Sequence, residues 1–236
     1  MKKIWNYIIS VDLCLMLLAF VCLAMAAGSF LLTGEYAAAI NGMPLLAWLR
    51  EVPPKISWWL WLTVAFLALL ALNTVFCSFD TLRTRWNRAG ALPLIAPQLI
   101  HAGFLLIMAA HLLSALGGYN QHLEVVEGSV ARLPDGRLFG VAALNVNGTP
   151  GMMPSSFSGE LATDLRNPRA LQTISPNHPW LSGGYGVYIK YAENSPFKRA
   201  LLEIHREPGA GMALTGAIFF TFGNVLLLYL RSKSRE

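Results

Sequence analysis

Charge is scarce in this sequence: Asp, Glu, Lys and Arg make up 13% of the 236 residues, against 55% hydrophobic residues and a mean hydropathy of +0.48. That balance excludes an ordinary soluble globular protein. Cysteine is rare too. The three thiols, Cys14, Cys22 and Cys77, all fall in or beside apolar runs, so no disulfide framework is implied. Cys14 and Cys22 would lie about 12 Å apart along a helix, too far to bond within one chain. No Cys-x-x-Cys-His occurs, which excludes covalently attached c-type haem on this chain. A nucleophile elbow, a Gly-rich phosphate loop and paired catalytic carboxylates are missing as well. So is the basic helix or aromatic-interleaved patch of a nucleic-acid binder.

Long apolar runs are what the chain does have. A hydrocarbon core of roughly 30 Å takes about 20 apolar residues in helix. The runs at about 7–32, 58–77 and 97–117, with a fourth from Gly211 to Leu230, are long enough. The expected fold is therefore a membrane protein: four transmembrane helices, with a small extracytoplasmic β-rich domain between the third and the fourth. Residues 1–118 form the three-helix part with a short external loop at 33–57 that holds an interfacial helix from Pro44 to Glu51, residues 119–208 the β-rich domain, and residues 209–236 the last helix and a basic tail. Lys2, Lys3, Arg83, Arg85, Arg88, Arg231, Lys233 and Arg235 fall on one side of this scheme, against Arg50 and Lys55 in the short loop. The positive-inside rule then puts both termini in the cytoplasm. Met1-Lys-Lys, an apolar core and Ala24-Met25-Ala26 resemble a secretory signal, but the apolar run continues to Leu32, so a retained anchor helix is expected. Asp12, near the cytoplasmic boundary, reads as an interface residue paired with Lys2 or Lys3.

Trp48, Trp58, Trp59 and Trp61 cluster at the external boundary and read as an aromatic belt at headgroup level. After residue 119 the composition turns polar. His122 to Glu127, Leu138 to Val146, Gly186 to Ala192 and Ala200 to His205 read as strands, separated by the turn signals Glu127-Gly128, Pro134-Asp135-Gly136 and Asn147-Gly148. A small sandwich or barrel-like domain is expected there. Its His178 and His205 have no second ligand at a metal-binding spacing, and read as ordinary surface or core residues.

The third apolar run carries two histidines, His101 and His111, and ionisable side chains in hydrocarbon mark cofactor or proton sites. Ten residues place them about 80° apart around a helix and about 15 Å apart along it, too far to share one cofactor edge. Nothing polar between them would support a proton relay. A low-spin membrane haem takes two axial ligands, commonly His with His or His with Met, and the other apolar runs contain no histidine. A haem on His101 must then draw its second ligand from a methionine such as Met16, Met25 or Met212, from another copy of the chain, or from a different protein, the last being favoured. Histidines serving as polar glue between helices are the alternative.

The stretch LIHAGFLLIMAAHLLSALGGYNQHLEVVEGS resembles the third helix and domain start of the ResB, or CcsB, proteins of System II cytochrome c biogenesis: a leading His, a Gly-rich exit and a strand ending in a glutamate-glycine pair. The tail REPGAGMALTGAIFFTFGNVLLLYL, the basic loop after NTVFCSFDTLRTRW and the four-helix order are similar to that family too, in a short variant. The resemblance implies a non-catalytic subunit of the bacterial inner membrane that pairs with a CcsA, or ResC, type protein. Together they move a non-covalent haem b outward for attachment to apocytochrome c. It further implies that His101 is a haem axial ligand whose mate comes from the partner. His111 stands where the family has a small residue, and is carried as a candidate for a second haem ligand. The alternative is a b-type haem anchor carrying electrons from quinol to a multihaem cytochrome, with His101 and His111 each on a haem.

Overall fold

Residues 7–32 read as one apolar run, broken near its start by the polar Ser10 and Asp12. Yet the computed structural model, which describes residues 2–87, 90–148, 154–167 and 169–233, divides this run in two. Helix α1 (Lys2–Ile8) stops, and α2 (Val11–Leu31) starts afresh after Ile9 and Ser10. Ser10 caps the new start, its hydroxyl accepting from the Leu13 N–H at 3.1 Å. Asp12 then sits in the first turn of α2, where the helix dipole favours a carboxylate. Among the described residues no ion pair joins it to Lys3. Two of the basic residues behind the topology argument, Arg88 and Arg235, lie outside the described residues.

In the external segment, α3 (Glu35–Gly42) stands in the expected loop and α4 (Leu45–Glu51) at the expected interfacial helix, and three long helices follow: α5 (Pro54–Arg85), α6 (Ala91–Gly117) and α7 (Ala210–Lys233). Helices α2, α5, α6 and α7 are long and apolar enough to cross a membrane. This is a multi-pass membrane protein with a β-rich domain after its third spanning helix. Pro54 opens α5, a position where its missing N–H costs nothing, and the helix extends about 48 Å. Helix α6 begins at Ala91 rather than at Pro97, which is accommodated inside it. His101 therefore lies about three turns into its helix, deeper than the proline suggests.

The chain divides into two compact units, one of Met1–Ile40, Pro44–Leu116 and Pro208–Glu236, the other of Gly117–Glu207 with Asn41–Met43. In the helical unit α2 and α5 run antiparallel, with Phe20 stacked on Phe66 at 5.3 Å between ring centroids. The Trp59 ring fills the space that a side chain on Gly28 would need. Trp59 is thus buried, and so is Trp48, whose indole donates to the Tyr36 carbonyl at 3.1 Å. Only Trp58 and Trp61 of the expected belt face outward.

Helices α6 and α7 pack through small residues that repeat every seven positions. Ala96, Gly103 and Ala110 on α6 meet Gly223, Gly216 and Gly209 on the other side, in reversed order. A Cβ on Gly216 would stand 2.8 Å from the Gly103 carbonyl oxygen and 2.9 Å from Ile107 Cγ1. One on Gly223 would stand 2.8 Å from Ile100 Cγ1. Small residues let two backbones approach this closely, which is how membrane helices gain packing without a hydrophobic driving force. The Gly209 N–H also donates to Ser114 Oγ at 3.2 Å.

The β unit holds two antiparallel four-stranded sheets. One has β1 (Tyr119–Val126), β8 (Arg199–Arg206), β7 (Tyr185–Glu193) and β6 (Trp180–Ser182) in that order; the other has β2 (Val130–Arg132), β3 (Leu138–Asn147), β4 (Ser156–Ala162) and β5 (Leu171–Ile174). Alternation puts Val125, Phe139, Leu144, Leu161, Val187, Leu202 and Ile204 into one core, each large side chain contributing about 1.5–3 kcal/mol by leaving water. Gly183 and Gly184, both at positive φ, close the two-residue turn between β6 and β7. The Arg137 guanidinium donates to Ser182 Oγ at 2.6 Å beside that turn and pairs with Asp135. That contact holds the Asp135 carboxyl below the usual range.

Candidate functional site

Polar side chains are concentrated in the second half of α5, in the sequence Asn-Thr-Val-Phe-Cys-Ser from Asn73 to Ser78. Two pairs at i, i+4, Asn73 with Cys77 and Thr74 with Ser78, turn toward the same side of a helix. Asn73 and Thr74 are buried. Thr74 satisfies its hydroxyl on the Leu70 carbonyl at 2.9 Å. Asn73 reaches across instead, its amide donating to the carbonyls of Ile8 at 2.6 Å and Ser10 at 3.3 Å. The Ile8 carbonyl is the one left open where α1 ends, while that of Ser10 also accepts from the Cys14 N–H at 3.3 Å, so the break between α1 and α2 is sealed by a side chain of α5. Trp5 adds a second tie, its indole donating to Asp80 at 3.1 Å.

A cavity of about 390 Å³ opens beside this break. Ile9, Ser10, Val11, Cys14 and Leu18 line it from the break and α2, and Leu70, Asn73, Thr74 and Cys77 from α5. Ile100, His101 and Phe104 of α6 and Phe220 of α7 complete it. Mostly apolar, with a few convergent polar groups, it has the character of a ligand site. The seam between α6 and α7 sets one wall, because a Cβ on Gly103 would run into the backbone of Phe220.

His101 is the group in this cavity best suited to a metal centre. Its Nδ1 lies 2.7 Å from Ser78 Oγ, which leaves Nε2 as the nitrogen for a ligand. Neutral imidazole held by its other nitrogen is the usual form of an axial haem ligand, so His101 fits one side of a haem iron. Among the described residues, no second histidine and no methionine line the cavity. Met16, Met25 and Met212 do not line it, and its sulfur atoms belong to Cys14 and Cys77, which are free thiols. Among the described residues no cluster of three or more His, Cys, Asp or Glu side chains can hold a metal ion.

His111 is placed elsewhere. It is exposed on the surface of the helical unit and does not line the cavity. In the β unit His178 is exposed, its ring nearest the Pro176 carbonyl, and His205 sits 3.0 Å from Glu207. The Glu127-Gly128 pair has a structural task. Glu127 accepts from the Leu144 N–H at 2.7 Å and from Lys198 at 3.0 Å, contacts that hold its carboxyl below the ordinary value, backbone bond first. Gly128 adopts positive φ and donates to the Val141 carbonyl at 2.7 Å.

Sequence reasoning does not find Ser78, Asn73 or Cys77 as companions of His101. The available signal was their presence: polar residues inside an apolar helix are costly unless they meet a partner or a cavity.

No family model matches the sequence, and comparison with curated proteins gives no match. Among solved structures, 91% of the chain is similar to part of "Cytochrome c Heme Lyase CcmF", with a TM-score of 0.47 and 14% identity. The match covers 34% of that protein, so the present chain spans about a third of its length.

Proposed function

We propose that the chain is a membrane subunit of a System II type cytochrome c maturation complex, with His101 an axial ligand of a non-covalent haem b. What supports this reading is the position of His101. The one histidine that matches the motif of the ResB-like resemblance lines a mainly apolar cavity, with its Nδ1 engaged and its Nε2 left for iron. Bound there, the haem would supply the redox centre and the cargo for thioether attachment. The chain's own residues do the rest. His101 binds the iron, and Ile100, Phe104, Leu70 and Phe220 keep water from it. Asn73 holds the α1–α2 break that forms the remaining wall. Since no methionine or second histidine lines the cavity among the described residues, the second ligand to the iron would come from a CcsA-like partner. The same reading puts both termini in the cytoplasm and residues 119–208 outside, where the β domain braces the partner's haem-delivery face toward apocytochrome c.

The test is haem quantitation on the detergent-purified complex. His101→Ala should strip the haem or leave it weakly bound, with recovery on adding imidazole. Haem content equal to that of the unaltered protein would refute the assignment.

A further inference from the structure

We propose that Ser78 is the positioning residue of this site. It holds His101 in the tautomer that frees Nε2 for iron and strengthens that nitrogen as a donor, an inference that rests on the haem reading above. The two groups are 23 residues apart in sequence and on different helices, and the fold brings Oγ to 2.7 Å from Nδ1. A neutral imidazole has one donor and one acceptor nitrogen. If Nδ1–H donates to Ser78, Nε2 carries the lone pair and can bind iron. If Ser78 donates to Nδ1, Nε2 carries the hydrogen and cannot. Ligation therefore requires Ser78 to act as acceptor.

The other hydrogen-bonding side chains that α5 brings to the cavity are engaged elsewhere. The Asn73 amide is committed to the Ile8 and Ser10 carbonyls, and the Thr74 hydroxyl to Leu70. Through the acceptor, negative charge is drawn onto the ring, which makes Nε2 a better donor to the ferric ion than to the ferrous ion. Ser78 so has two separable effects: it raises haem affinity, and it lowers the midpoint potential.

The experiment uses the full chain purified with its copurifying subunits. It compares S78A, S78C, S78T and H101A by haem content, absorption spectrum and spectroelectrochemical titration. S78C keeps nearly the volume of serine and loses the hydroxyl acceptor, which guards against a folding defect in S78A. Loss of an outer hydrogen-bond partner typically weakens metal binding by about 10–100-fold. If ferric binding falls about tenfold more than ferrous binding, the potential rises by about 59 mV for one electron. S78A and S78C should both shift upward, and S78T, which restores the hydroxyl, should titrate like the unaltered protein. Should H101A lose haem while S78A and S78C keep the original potential and spectrum, the haem reading would stand and the role of Ser78 would be wrong. Should H101A keep its haem, both would fall.

Discussion

The seam between α6 and α7 allows a test that isolates backbone approach from everything else. Gly216→Ala adds one methyl group where a Cβ would lie 2.8 Å from the Gly103 carbonyl oxygen and 3.0 Å from the Ile107 nitrogen. Both are backbone atoms, which cannot swing aside as a side-chain end would. Gly211→Ala adds the same methyl to the same helix, where nothing lies within 4 Å. Replacing glycine inside the helix gains about 0.5–1 kcal/mol at Gly216 and no more than that at Gly211, the second residue of α7, so the comparison gives a lower bound on the steric cost. For overpacking that cost is about 1–3 kcal/mol. Gly103→Ala should cost at least as much, since its Cβ would stand 2.6 Å from the Gly216 carbonyl oxygen and 2.8 Å from Phe220 Cα. The assay is reversible unfolding in mixed detergent with SDS, followed by helical circular dichroism. Because Phe220 lines the cavity, Gly103→Ala should also lower haem loading. If Gly216→Ala and Gly103→Ala unfold with Gly211→Ala, the close approach of the two backbones is refuted.

Asn73→Leu keeps the side-chain size and removes the donor to the Ile8 and Ser10 carbonyls. The Ser10 carbonyl keeps the Cys14 N–H, but leaving the Ile8 carbonyl unpaired away from water should cost about 1–3 kcal/mol in the same unfolding assay, and an unchanged midpoint would show that the break seals itself. His111→Ala should leave haem content as it was, given its exposed position outside the cavity lining; loss of one haem would favour the electron-carrying alternative. In the β domain, Glu203 accepts from Lys190 at 2.8 Å, which together with nearby charges holds its carboxyl below the ordinary value. A depressed folded value means that the stabilisation is fully present above the unfolded carboxyl range, about pH 4.3, and is lost as pH falls through the folded value. Lys190→Met should flatten that part of the stability profile, and a profile unchanged by the substitution would remove the pair from the account.

Some of this architecture is legible one residue at a time. Run length and hydropathy mark four spans because a bilayer demands about 20 apolar residues whatever surrounds them. Strand alternation in Gly186 to Ala192 and the turns at Gly128 and Gly136 are equally local, since a positive φ is a property of the residue itself. Strands β2, β5 and β6 escape because three or four residues cannot display a period, and β4 escapes as well because Gly159 interrupts the apolar face of Phe157 and Leu161. The hairpin glycines Gly183 and Gly184 and the seven-residue spacing of small residues in α6 and α7 were both present in the sequence as readable signals.

What the sequence by itself determined is a multi-pass membrane chain with a β-rich insertion after its third span, and His101 as the residue to follow. Only the tertiary structure decided the break at Ile9 and Ser10, the burial of Trp48 and Trp59, and the meeting of His101 with Ser78. Each depends on atoms from helices far apart in sequence: Asn73 seals the break from 65 residues away, and Gly28 admits the ring of Trp59. Local propensity and hydropathy are sums over neighbours along the chain. A cavity is defined by neighbours across space, so its lining became readable only when α2, α5, α6 and α7 were packed.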